Sequence, residues 1–363
     1  MNCNRGGNMD QKRAQALQHT LLEWYHTNKR DLPWRRCTEP YSTWICEIMA
    51  QQTRITALLP YYERFLTQFP DVHALASAQE SGVLKAWEGL GYYSRARSLH
   101  KAAMRIVSEF GGRIPDEESA LLSLPGIGEY TAGAILSIAF GQPIPAVDGN
   151  VLRVYARVEC DGQDISTPQA KKDAKAFVAS CMPAVGTGFF TQALMELGAL
   201  VCVPKTPQCP LCPLSSLCRA FQKGAQGDLP QKPAKKAKKE KDVTVLLLMN
   251  EGGAVMMHRR EQSLLRGMWE FVTLEHTMNE GAVAAHLSEL GFQVQTVKDF
   301  GAMKHVFTHI IWHMNAYFCR VAGSGALPKH NWVPKIEVSS LAIPTAFRGY
   351  AEKLFESGLN REP

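Results

Sequence analysis

Four of the chain's ten cysteines fall in the run CVPKTPQCPLCPLSSLC, residues 202–218, with the spacing C-x6-C-x2-C-x5-C. Thiolates hold soft or borderline metals, so Cys202, Cys209, Cys212 and Cys218 make a tetrahedral ligand set. On spacing alone a structural zinc and an iron–sulfur cube both satisfy it. Prolines at 204, 207, 210 and 213 keep the loop extended, which leaves few backbone groups to compete with a metal. Two carboxylates stand upstream. Glu47 is flanked by Ile45, Ile48 and Met49, and burial among such neighbours raises a carboxyl pKa. Periodicity alone also allows a surface glutamate on an amphipathic helix. Asp148 opens a helix in PAVDGNVLRVYAR, where an N-cap is the simplest role. Between the two carboxylates, LPGIGEYTAGAILSIAF sets Gly126, Ile127 and Gly128 in a turn ahead of an apolar helix. The N–H groups at such a helix start suit a phosphate oxygen.

The elements that must position these residues are legible in outline. At 363 residues the chain exceeds one typical core, so two domains are expected. Apolar periodicity predicts helices over 10–26, 43–51, 55–68, 80–88 and 95–110, each bounded by glycine, proline or polar residues. No convincing strand is read before about residue 240. GAQGDLPQKPAKKAKKEKD has a linker composition, and VTVLLLMN and GAVMMHRR then read as a strand pair. HVFTHIIWHMNAYFCRV near 305–321 reads as another strand or two, with a helix over about 279–290 between. The expected division is a helical domain over 10–222, a basic linker over 223–242 and a smaller α+β domain over 243–355.

The net charge is +6, but residues 232–242 alone hold six lysines against Glu240 and Asp242. The rest of the chain is therefore nearly neutral, and any polyanion surface is a local patch. Lys235, Lys236, Lys238 and Lys239 are candidates to follow a phosphate backbone, although a lysine run is usually a solvated linker. No apolar run reaches the length of a membrane span, and MNCNRGGNMDQKRAQ lacks the apolar core of a signal peptide. A cytoplasmic protein is expected.

The cysteine spacing after a helical region resembles the [4Fe–4S] loop of the endonuclease III and MutY branch of the helix-hairpin-helix DNA glycosylases. The upstream motifs that resemblance demands are present. LPGIG resembles the hairpin, and Asp148 stands where the family places the aspartate that stabilises positive charge on the sugar as the glycosidic bond breaks. Bifunctional relatives carry a lysine nucleophile in the pattern GxGxKTA. Here GIGEYTA puts Tyr130 in that slot, and a phenol forms no Schiff base. The resemblance is thus to the monofunctional MutY type of adenine DNA glycosylase, acting on duplex DNA with adenine opposite 8-oxoguanine or guanine. EIMAQQT matches the signature E-x-M-x-Q-Q-T, which implies that Glu47 protonates the departing adenine. Gln51, Gln52 and Thr53 would fill the gap left by the extruded base, and Tyr92 would wedge beside the lesion. Tyr130 and Asn150 would complete the pocket. Arg95 and Arg97 are further candidates for phosphate contact. The implied fold is multidomain, an all-α helix-hairpin-helix domain with a [4Fe–4S] loop and then an α+β MutT-like (Nudix-like) domain. A bacterial-type monomer acting on chromosomal DNA is expected.

That second domain is anchored by GMWEFVTLE and HVFTHIIW. A MutT-like hydrolase needs closely spaced acids for magnesium, and HTMNEGAVAAHLSELGF offers only Glu280 and Glu289. A recognition module is the better reading. The family's Phe-Ser-His turn, which reads 8-oxoguanine, corresponds here to Phe307, Thr308 and His309. Alternatives are an endonuclease III-like glycosylase/lyase, a nucleotide hydrolase and a non-enzymatic iron–sulfur DNA sensor.

Overall fold

Helices occupy the chain from Gln11 to Gln222, and named strands begin at Lys239. The computed structural model describes residues 10–233 and 237–356. Lys235 and Lys236 lie outside the described residues. By contact the chain divides into two units: one of Met1–Tyr62, Phe69–Ala76 and Lys101–Lys235, the other of Glu63–Gln68, Ser77–His100 and Lys236–Pro363.

In the first unit the helices Gln11–Asn28, Gly149–Val158, Pro168–Cys181 and Thr187–Leu200 share one core. Leu17, Leu21 and Tyr25 of the first share it with Val151, Val154 and Leu194, each almost wholly excluded from water. Steps of three and four residues from Ala14 through Leu17 and Leu21 to Tyr25 put the buried side chains on one face, and Trp24 is only partly buried. The helix Pro40–Ala50 carries Glu47 and is buried along nearly its whole length, from Ser42 to Met49. A surface glutamate is thereby excluded at position 47. Gly133, in the helix Glu129–Ile138, lies so close to the Pro145 carbonyl that an added Cβ would stand 2.3 Å from its oxygen. That approach seats the segment leading to Asp148 directly on the hairpin's second helix.

The second unit is built on a six-stranded mixed sheet. Its strands are β1 (Lys239–Met249), β2 (Val255–Arg259), β3 (Trp269–Leu274), β4 (Gln293–Val306), β5 (Ile310–Ala322) and β6 (His330–Val333), in the order β4-β5-β1-β3-β2-β6. β1 and β5 run parallel, and the remaining neighbours are antiparallel. Val243, Val245 and Leu247 face the core that holds the helix Thr345–Glu356. Leu246 and Leu248 face the one that holds the helix Glu280–Glu289. This alternation is the period-two pattern of a strand covered on both sides. β1 starts four residues earlier than the strand read from VTVLLLMN, inside the stretch read as linker. Lys239 is already in register with Ile310, and its N–H donates to the His309 carbonyl. Pairing with β5 overrides the polar composition of KEKD.

The segment Ser77–His100 groups with the sheet rather than with the other helices, although the sequence reading placed it inside one continuous helical domain. Its polar contacts explain the grouping. Lys85 Nζ donates to the Leu341 carbonyl at 2.8 Å, Glu88 Oε1 accepts from the Ile343 N–H at 3.0 Å, and Glu80 pairs with Arg259 at 3.0 Å.

Candidate active site and cysteine loop

A cleft of about 860 Å³ opens in the first unit, and Glu47, Gln51, Gln52, Thr53, Tyr130, Asp148 and Asn150 all line it. These residues come from three elements separated by about 80 and 20 positions in the chain. Glu47 projects from Pro40–Ala50, Tyr130 from the first turn of Glu129–Ile138, and Asp148 caps Gly149–Val158. The Tyr130 hydroxyl donates to Glu47 Oε2. Burial pushes the Glu47 carboxyl up to about 7. The Tyr130 hydrogen bond opposes that shift and the nearby Asp148 charge adds to it. A carboxyl raised into this range keeps its proton closer to neutral pH than an ordinary glutamate and can act as an acid.

Asp148 performs the capping role and faces the cleft as well. Its Oδ1 accepts from the Asn150 and Val151 N–H groups at 2.9 and 2.7 Å, and Oδ2 accepts from Asn150 Nδ2 at 2.8 Å. Burial raises its pKa, while these three hydrogen bonds and the charge of Arg153 oppose the rise. The two carboxylates thus sit in different settings: Glu47 has one phenolic donor, and Asp148 has three donors that favour its ionised form.

Asn150 is locked in turn. Its Oδ1 accepts from Arg153 Nη2 at 2.8 Å, and Arg153 Nε donates to the Cys202 carbonyl at 2.7 Å. One turn further along, Arg157 Nη1 lies 3.3 Å from Cys202 Sγ and donates to the Val203 carbonyl at 2.8 Å. Residues 150, 153 and 157 share one helix face, so a single helix joins the aspartate to the cysteine loop. Cys202, Cys209, Cys212 and Cys218 line one small cavity, together with Val154, Arg157, Leu197 and Leu214. Among the described residues no three His, Cys, Asp or Glu side chains converge as a single-ion site requires. Four thiols around one cavity are a donor set that soft and borderline metals take.

Gln52 and Tyr92 both take left-handed backbone angles, φ 59° and φ 49°. Such angles are unfavourable for these residue types and concentrate at functional positions. Gly126, at φ 81°, makes the hairpin turn. The Ile127 side chain is buried and its N–H already donates to the Leu124 carbonyl. In the second unit, Phe307, Thr308 and His309 form the turn between β4 and β5, and Thr308 Oγ1 donates to the Tyr92 hydroxyl at 3.1 Å. Arg95 stacks against Trp87 and Tyr92, and Arg97 donates to the Arg266 carbonyl. These internal contacts occupy both arginines. Lys238 Nζ donates to the Phe307 carbonyl at 2.7 Å.

Sequence reading missed part of the cleft's lining. Arg30, Leu32, Trp34, Arg35, Gln192 and Glu196 belong to it. Glu196, almost fully buried, accepts from both Arg30 and Arg35 at 2.6–2.9 Å. Burial pushes its carboxyl up, but the two arginines outweigh burial and hold it at about 2. The available signal was a lone charge in the apolar run ALMELGAL, set against LPWRR far upstream.

Residues 45–180 match the HhH-GPD superfamily base excision DNA repair protein family, and residues 244–353 match the NUDIX domain family. The adenine DNA glycosylase of Rattus norvegicus is 33% identical, over 93% of this chain and 78% of its own length. That of Buchnera aphidicola subsp. Acyrthosiphon pisum is 32% identical, over 83% of this chain and 85% of its own. The chain belongs to the adenine DNA glycosylase family. The human adenine DNA glycosylase is 43% identical over a shorter stretch, 52% of this chain and 36% of the human protein. Among solved structures, a thermostable thymine-DNA glycosylase superposes with a TM-score of 0.54 at 28% identity, over 58% of this chain and 98% of its own. An endonuclease III trapped covalently on DNA shares the fold, with a TM-score of 0.51 at 21% identity, over 60% of this chain and 99% of its own. A helical HhH-GPD domain followed by a Nudix-like α+β domain accounts for the change from helices to strands along the chain. No helix among the described residues is long and apolar enough to cross a membrane.

Proposed function

We propose that the chain removes adenine from duplex DNA where it is mispaired with 8-oxoguanine or guanine, by hydrolysis of the N-glycosidic bond. The observation that carries this reading is the pairing in one cleft of a buried carboxyl bonded to a phenol, Glu47, with a carboxylate held by three donors, Asp148. Glu47 protonates the adenine ring so that the base departs neutral. Proton transfer of this kind contributes about 10²–10⁴-fold in rate. Asp148 stabilises the oxocarbenium charge that develops at C1′, and water then attacks that carbon. The flipped base enters the cleft that Glu47 lines together with Arg30, Trp34 and Gln192, whose donors and ring face suit a purine.

Gln51, Gln52 and Thr53 serve the duplex that the base leaves. Gly126, Ile127 and Gly128 approach a phosphate, the glycines through bare backbone and Ile127 by anchoring the turn in the core. Tyr92 is the wedge, its exposed ring held on a left-handed backbone. Phe307, Thr308 and His309 meet the base opposite adenine. The cysteine loop holds a [4Fe–4S] cluster on Cys202, Cys209, Cys212 and Cys218. When bound, that group fixes the loop, and Arg153 and Arg157 tie the loop's backbone to the helix that Asp148 caps. The chain acts as a monomer in the cytoplasm.

The test uses labelled duplexes carrying adenine opposite 8-oxoguanine and adenine opposite thymine, each incubated with excess protein and resolved with and without alkali. Scission of the mispaired duplex alone, and only after alkali, supports monofunctional excision. Scission without alkali supports the lyase reading instead. A protein that holds its cluster and binds the duplex but leaves adenine in place overturns the enzymatic reading.

A further inference from the structure

In the helix Thr187–Leu200, the residues Gln192, Met195, Glu196 and Ala199 recur with helical spacing, and all four line the cleft. One face of that helix is therefore turned to the cleft. Tyr25, in the helix Gln11–Asn28, belongs to the core and is only 1% exposed. Its hydroxyl donates to Gln192 Oε1 at 2.5 Å. That length suits an O–H···O bond and is short for N–H···O, so the amide oxygen, not the nitrogen, meets the phenol. Burial, opposed by Arg35 and assisted by Glu196, pushes the phenol up to about 12. It therefore remains a donor near neutral pH.

This bond fixes which way round the amide lies. Oε1 is held by the buried phenol, and Nε2 keeps its two N–H donors. Nε2 has no acceptor among the described residues, and it is not sealed from solvent. The charged donors in the same lining are directed at Glu196, which accepts from Arg30 and Arg35 at 2.6–2.9 Å. The Gln192 amide differs from them in being neutral. It attracts a ring-nitrogen lone pair without adding positive charge that would oppose protonation of the base by Glu47.

We propose that Gln192 Nε2 donates to N1 of the flipped adenine, and that Tyr25 is the positioning residue that keeps the amide turned donor-outward. N1 is the acceptor on the Watson–Crick edge, which extrusion frees from its partner base and on which flipped bases are read. The proposal rests on adenine excision as the reaction and names a group that reads the base. Tyr25 acts only through Gln192 and touches no substrate.

The test measures single-turnover excision by the full chain on duplexes carrying adenine or 1-deazaadenine opposite 8-oxoguanine. In 1-deazaadenine a C–H replaces N1, so the amide faces no acceptor. Gln192→Leu should slow adenine excision about three- to tenfold and should not slow 1-deazaadenine excision. Gln192→Glu keeps the side chain's size and an oxygen for Tyr25 while replacing the donor with an acceptor, so it should be at least as slow on adenine as Gln192→Leu. Tyr25→Phe should slow adenine excision alone but have no further effect in the Gln192→Leu background. Equal losses on the two bases would make Gln192 merely structural and overturn the proposal, as would Gln192→Glu acting at the wild-type rate. Losses from Tyr25→Phe and Gln192→Leu that add in full would overturn the positioning role. Absence of adenine excision by the unaltered protein would overturn the reaction itself, and the proposal with it.

Discussion

The Tyr130 hydroxyl donates to Glu47 Oε2 within a cleft whose burial pushes the same carboxyl up to about 7. The phenol therefore opposes the effect of burial, holding the acid near neutrality instead of letting it rise further. Tyr130→Phe removes that donor. The alkaline limb of the single-turnover excision profile should move to higher pH, because the hydrogen bond lowers the Glu47 pKa. An unmoved limb would show that Tyr130 does not tune the acid.

The two carboxylates predict a bell-shaped pH profile. The proposed mechanism needs Glu47 protonated, so the rate should fall as pH rises through about 7, approaching tenfold per unit beyond it. It also needs Asp148 ionised, so the acid limb should lie above the usual aspartate range, since burial raises that group. Single-turnover rates at saturating protein between pH 5 and 9 report both limbs.

The same Glu47 shift bears on stability, with a definite sign. The folded pKa is raised, so the folded chain retains a proton that the unfolded chain releases between the ordinary glutamate value and about 7. This contribution is full below that window and is lost as pH rises through it. Glu47→Gln should therefore raise the thermal midpoint more at pH 8 than at pH 5. An equal effect at both values would contradict the raised pKa.

Gly198 makes room for the helix that Asp148 caps. A Cβ at Gly198 would stand 2.6 Å from Asn150 Cβ and 3.2 Å from its backbone, while the Gly198 carbonyl accepts from Arg153 at 2.7 Å. Gly198→Ala should cost about 1–3 kcal/mol by overpacking, and should lower excision beyond what that loss explains, because Asn150 positions Asp148. Denaturant unfolding and the single-turnover rate together check it.

Much of this was legible in the sequence because local pattern and tertiary need agreed. LPGIG and the Asp-Gly-Asn cap are short-range signals, and the apolar faces of Gln11–Asn28 and Gly149–Val158 mark their own burial. β1 began early because its partner β5 lies about 70 residues on, and KEKD carries no local trace of that pairing. Ser77–His100 reads as one more helical stretch, while its placement rests on Glu80, Lys85 and Glu88 reaching residues beyond 250. The Arg30–Glu196–Arg35 cluster joins residues over 160 positions apart, and the lone charge in ALMELGAL marks one end without naming its partners.

The central claim is that Glu47 supplies the proton on which base departure depends. The direct measurement compares wild type with Glu47→Gln on a duplex carrying adenine opposite 8-oxoguanine, taking single-turnover excision and duplex affinity from the same preparations. The account predicts a loss of about 10²-fold or more in rate, with affinity and iron content retained. Excision within a few-fold of wild type would contradict it, and the proton would have to come from another group.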